Sequence, residues 1–164
     1  MRRRTFIKVG LIGGAILAAA GGAALWLKPA ARDASTSEDA RVVLRAVIPA
    51  ILAGALPADG ATRAREAALE RTLAAIAALP PETRLELGEL FALLAARPGR
   101  WLAGIDAWET ADVEQTTRFL QHWRTHRLEL FQAGYHALHD LVLGPWYADE
   151  STWPAIGYPG PPAL

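Results

Sequence analysis

Apolar positions recur at helical spacing along almost the whole chain. The first such run opens at Ser35-Thr36-Ser37-Glu38, where Ser35 and Glu38 stand at capping-box spacing. Val43, Val47, Ile48, Ile51 and Leu52 then give one apolar face. Pro49 falls inside the run and is expected to kink or break it, because proline lacks a donor and crowds the preceding turn. Gly54 to Gly60 reads as a loop. A second helix is predicted from Ala61 to Leu79, with Ala68, Leu69, Leu73, Ile76 and Leu79 as its buried stripe. Pro80-Pro81 stops it and starts a third helix, Glu82 to Ala96, carrying Leu85, Leu87, Leu90, Phe91 and Leu94. Pro98-Gly99 breaks the chain, and a short helical piece follows around Trp101 to Trp108.

The last run is the longest. It extends from Asp112, at capping spacing from Gln115, to Leu143, where Gly144-Pro145 supplies a stop. As one rod it would be roughly 48 Å long. On it, Leu120, Trp123, Phe131, Gly134, Leu138 and Leu141 share one side, with Arg127 in their midst. A guanidinium there either meets a carboxylate or reaches water along its apolar stem. No segment alternates as a strand does. The pattern predicts an all-α, antiparallel helical bundle with a long C-terminal helix, covering residues 33–144.

Beyond Pro145 the pattern changes. Residues 145–164 form an irregular tail, and Pro145 to Pro162 holds four aromatics and five prolines in eighteen residues. Tryptophan and tyrosine are the side chains that dominate binding hot spots, and proline lowers the ordering cost of an extended segment. The tail therefore reads as an aromatic strap, laid either on a partner or back over its own bundle.

Residues 1–32 are of a third kind. Arg3-Arg4-Thr5-Phe6-Ile7-Lys8 precedes an uncharged, Gly/Ala-rich stretch from Val9 to Leu27. A basic start followed by a short apolar region is the pattern of an export signal. The run resembles a twin-arginine signal, in which Arg3, Arg4, Phe6, Ile7 and Lys8 are the matching positions. The other reading is a membrane anchor whose arginines follow the positive-inside rule. Both readings place the rest of the chain on the outer side of an inner membrane, in the periplasm. Val9 to Leu27 is about long enough to span a bilayer, which takes roughly 17–25 residues. No clean Ala-x-Ala triplet follows it, so an uncleaved leader that tethers the chain remains open.

Charge and composition narrow the chemistry. The 17 basic and 17 acidic residues balance overall, but six of the basic ones lie in the leader and none of the acidic ones do. The body has eleven arginines, no lysine and a net charge of −6, which offers no footprint for nucleic acid. The absence of cysteine excludes disulfides, iron–sulfur ligation and thiolate zinc sites. Fingerprints for dinucleotides, phosphate loops, zinc proteases and serine hydrolases are lacking too. His122, His126, His136 and His139 are paired at helical spacing, as metal or haem ligands can be. The helical wheel turns the first three away from the apolar stripe, so a solvated polar face is the expectation, with no catalytic and no metal residues assigned.

Trp153-Pro-Ala-Ile156-Gly157-Tyr158-Pro159-Gly160-Pro161 resembles the C-terminal W-x-x-I-G-Y-P-G-P signature of the gluconate 2-dehydrogenase subunit 3 family, with Trp146-Tyr147 preceding it at a fitting distance. The resemblance covers the leader and about the last forty residues. It implies a small, non-catalytic subunit exported by the twin-arginine translocase. Such a subunit binds no cofactor and escorts a large flavoprotein dehydrogenase that carries FAD and oxidises a sugar, sugar acid or alcohol. A cytochrome c subunit completes such complexes. Trp146, Tyr147, Trp153, Ile156, Gly157, Tyr158, Pro159 and Gly160 become the partner-binding positions. A free-standing periplasmic helical binding protein is the alternative.

Overall fold

A computed structural model of the chain describes residues 32–160, apart from Ala58 and the side chain of Ala155. Residues 1–31 of the predicted leader and residues 161–164 lie outside this range. The fold is an all-α bundle. Its helices are α1 (Glu38–Ile51), α2 (Ala61–Ala77), α3 (Pro81–Ala95), α4 (Arg97–Ala103), α5 (Val113–Arg124) and α6 (Glu129–Tyr147). Two 3-10 segments are added, η1 (Trp108–Thr110) and η2 (Glu150–Ile156). Among the described residues no helix is long and apolar enough to cross a membrane.

The bundle is built around α1, which packs on α2, α3, α5, α6 and η1. Val43, Leu44, Val47 and Ile48 are fully or almost fully buried there. They meet Leu69 and Ile76 of α2, Phe91 and Leu94 of α3, and Leu138 and Val142 of α6 in one core. The start of α1 differs from the expected capping box. Ser37 occupies the N-cap without a side-chain bond. Ser35 instead donates from its hydroxyl and its N–H to Asp33 Oδ1, at 2.6 and 2.9 Å. That turn is fastened to α3 by Arg84, whose Nε lies 3.0 Å from Asp33 Oδ2. Pro49 does not break α1. It sits close enough to the end that the helix closes at Ile51, with Leu52 N–H donating to the Ile48 carbonyl.

The expected break after α3 is present, but at Ala96, which is extended; Pro98 and Gly99 themselves lie in the first turn of α4, where proline is tolerated. Gly99 is there for space. A Cβ on it would stand 1.9 Å from the Leu93 carbonyl oxygen, so only glycine lets α4 turn this closely onto α3. Leu85, expected on the buried stripe of α3, is exposed.

The predicted single rod from Asp112 to Leu143 is two helices. Asp112 caps α5 as expected: its carboxylate accepts from Gln115 N–H at 2.7 Å, and Gln115 returns a bond to Asp112 N–H. The helix then stops at Arg124. Thr125 and His126 bond back to Gln121 and Trp123, and Leu128 begins α6 in extended backbone. His126 holds this elbow. Its Nδ1 accepts from Leu128 N–H at 3.1 Å, and its carbonyl accepts from Gln132 Nε2 at 2.8 Å. The bend moves Arg127 off the apolar face into solvent. Aromatic rings pave the inside of the joint: Trp108, Phe119, Trp123 and Phe131 stand edge to face, with successive centroids 5.5, 4.7 and 5.4 Å apart. Trp108 also ties η1 to α3 by donating to the Leu94 carbonyl at 2.8 Å.

Candidate docking surface

The tail is more regular than its composition suggests. Gly144-Pro145 does not end α6, which runs through Pro145 to Tyr147, and Glu150–Ile156 winds as η2. Pro145 has no N–H to give the Leu141 carbonyl, so α6 carries it at the loss of one bond in its last turn. Trp146 consequently points inward and is buried at 4 % exposure, so this predicted partner-binding residue is a core residue.

The rest of the tail folds back on the end of α6. Asp149 caps η2, accepting from Ser151 N–H at 2.8 Å. Thr152 is buried and donates to the Trp146 and Asp149 carbonyls at 3.0 and 2.8 Å. Trp153 Nε1 donates to the Tyr147 carbonyl at 2.9 Å. These side chains satisfy carbonyls that a helix C-terminus leaves orphaned. Gly157 then takes a left-handed conformation (φ 70°), which reverses the chain and brings the Tyr158 ring to 5.1 Å from Trp153. Gly160 passes over the Trp153 ring; a Cβ there would touch Cζ3 at 3.4 Å.

One residue from outside the tail anchors this cap. Arg71 of α2 reaches Asp149 Oδ2 at 2.5 Å, and its guanidinium carbon lies 5.9 Å from the centre of the Trp146 ring. That geometry is an ion pair combined with a cation–π contact. The sequence reading missed Arg71, Asp149 and Thr152. The Asp-x-Ser spacing of Asp149 and Ser151 was a usable turn signal. Nothing local marked Arg71, which lies 78 residues before Asp149.

The outward side of the cap carries Tyr147, Ile156 and Tyr158, all exposed, beside a half-buried Trp153 and an exposed Pro159. Single exposed apolar residues are ordinary; here three of them stand on one folded-back segment. Of the predicted partner-binding positions, all but Trp146 therefore belong to one folded knot. Arg3, Arg4, Phe6, Ile7 and Lys8 lie outside the described residues.

The histidines do not converge. His122 lies on α5 and His126 in the elbow, with rings 5.1 Å apart; His136 and His139 lie on α6. His122 and His136 are exposed, and the other two are half-buried. Among the described residues no group of three or more His, Asp or Glu side chains is placed to hold a metal ion. Comparisons with protein-family models, with curated proteins and with solved structures give no match to this chain.

Two aspartates are held below the ordinary carboxylate range. Hydrogen bonds from Ser151, first its side chain and then its N–H, hold Asp149 below the ordinary carboxylate range, and the Arg71 charge adds to this. Ser35 and Arg84 do the same for Asp33. A depressed carboxylate contributes stability that is complete above its unfolded pKa and is lost as pH falls through the folded one. Thermal melts should therefore be flat above the ordinary aspartate value and fall below it. Asp149→Asn should remove part of that acid dependence, whereas a melt whose pH profile is unaltered by it would contradict the assignment.

Proposed function

We propose that this chain is a non-catalytic small subunit, or export escort, of a periplasmic flavin-dependent dehydrogenase acting on a sugar, sugar acid or alcohol. The observation that carries the proposal is the tail. The segment resembling the gluconate 2-dehydrogenase subunit 3 signature is an ordered cap with Tyr147, Ile156 and Tyr158 facing solvent. Its internal bonds pre-pay the ordering cost that a loose peptide would meet on binding. Rigid aromatic side chains on such a cap suit it to seat in a partner's pocket. On this reading the leader addresses the complex to the twin-arginine translocase, FAD belongs to the large subunit, and this chain supplies surface rather than chemistry.

The test is affinity capture of the tagged full chain from membrane and periplasmic fractions, with an absorption spectrum of the eluate. A large partner with flavin bands is the expected result, and Ile156→Asp with Tyr158→Ala should abolish its recovery while leaving the helical circular dichroism unchanged. A colourless monomer would sink the reading and favour a free-standing binding protein. In the same cells, changing both Arg3→Lys and Arg4→Lys should leave chain and partner together in the cytoplasm. Export that continues undiminished would remove the escort role but not the subunit role.

A further inference from the structure

The α4–α5 face has a different character from the tail. A groove of about 300 Å³ runs between these helices, lined by Trp101, Leu102 and Gly104 on one side and by Arg118, Phe119 and His122 on the other. Trp101 is 81 % exposed and Leu102 is 51 % exposed, more than the packing of this bundle requires. Among the described residues no carboxylate lines the groove, although the body of the chain carries a net charge of −6. Arg118 holds Glu114 one turn away at 2.6 Å, but both side chains are largely in water, so that pair is easily exchanged for another.

The outer side of α3 is its complement. Glu82, Leu85, Glu86, Glu89 and Leu93 fall within about 100° of the helix circumference, opposite the buried Leu87, Phe91 and Leu94. Leu85 and Leu93 are 43 % and 41 % exposed. Among the described residues, no basic side chain lies within ion-pair distance of Glu82, Glu86 or Glu89. An acidic ridge with two leucines thus stands on the same subunit as a groove that offers one arginine, one histidine and an exposed tryptophan, and no other described residue fills either.

We infer that the chain self-associates head to tail, the α3 ridge of one copy seating in the α4–α5 groove of the next. Leu85 or Leu93 packs on Trp101, and the glutamates meet Arg118 and His122. The contact joins two different surfaces, so it repeats from copy to copy until it closes into a ring or continues as a filament. Opposite charge sets the register and the rate of encounter, and the tryptophan supplies the apolar anchor. This inference does not depend on the role of the tail.

Sedimentation of the full chain over a wide concentration range tests it. At low salt the average mass should rise with concentration and fall back as salt screens the charges. Trp101→Ala should weaken the association about tenfold or more. Glu86→Arg with Glu89→Arg should leave a monomer, as should Arg118→Glu with His122→Glu. Mixing these two variants should restore assembly, because each then offers the surface the other lacks; this also separates a lost contact from a lost fold. A monomer at every concentration would overturn the inference. Association that survives either charge reversal, or a mixture that stays monomeric, would overturn it equally.

Discussion

Trp146→Ala is expected to cost about 3–5 kcal/mol, the range for removing a large aromatic from a packed interior, and to release the tail with it. The indole is buried at 4 % exposure beneath Arg71. Its own carbonyl is the acceptor for Thr152, so a collapse around the vacated space also disturbs the bond that starts the cap. The paired variant Trp146→Phe should be far milder. The indole N–H of Trp146 is buried without an acceptor, and phenylalanine keeps most of the apolar contact while deleting that orphaned donor. Chemical denaturation of both variants checks this. Equal losses for Ala and Phe would mean that the N–H has an essential partner and that the packing account is wrong.

The second large effect lies at the elbow. Gly134 is buried in α6 directly under Trp123, and a Cβ built on it would stand 2.6 Å from the ring carbon Cζ3. The two residues are eleven apart in sequence, which in an unbroken helix would separate them by roughly 16 Å along the axis. They touch because the helix folds at 125–128. Gly134→Leu should therefore lose about 3 kcal/mol, with Trp123 driven out of its ladder between Phe119 and Phe131. Near-ultraviolet circular dichroism, which reports the packing of the tryptophans, should change with it. A Gly134→Leu protein as stable as the parent would mean that α5 and α6 do not close on one another as described.

Much of this was legible in the sequence because helix periodicity and proline placement are local signals. Ala68, Leu69, Leu73 and Ile76 announced the inner face of α2, Pro81 marked the start of α3, and Asp112 with Gln115 marked the start of α5. The elbow was not legible. Thr125, His126 and Arg127 include neither glycine nor proline, and Leu120, Trp123, Phe131 and Gly134 keep the phase of one helix across the break. At the bend Trp123 packs on Gly134 and His126 bonds Leu128 and Gln132, contacts that helix periodicity does not report. Pro49, Pro98 and Pro145 misled in the opposite direction. Pro98 lies in a first turn, where no N–H has an intrahelical partner to lose, whereas Pro49 and Pro145 each forfeit one bond in a last turn that winds nonetheless; only the structure fixes where those turns fall. In the candidate site, the turn residues around Asp149 could have been read from spacing, but the inward turn of Trp146 could not, since it follows from α6 continuing past Gly144.

The closure of α6 by its own tail makes the outer face of the cap depend on distant parts of the chain. The acceptors for Thr152 and Trp153 are the carbonyls of Trp146 and Tyr147, and these are correctly aimed only when the last turn of α6 is wound. Asp149 in turn finds Arg71 only when α2 is docked. The outward rings of Tyr147 and Tyr158 thus hold their positions only while the last turn of α6 is wound and α2 is docked on it. An exposed face that exists only in the docked bundle would make any recognition of it a reading of the finished fold rather than of a short stretch of sequence.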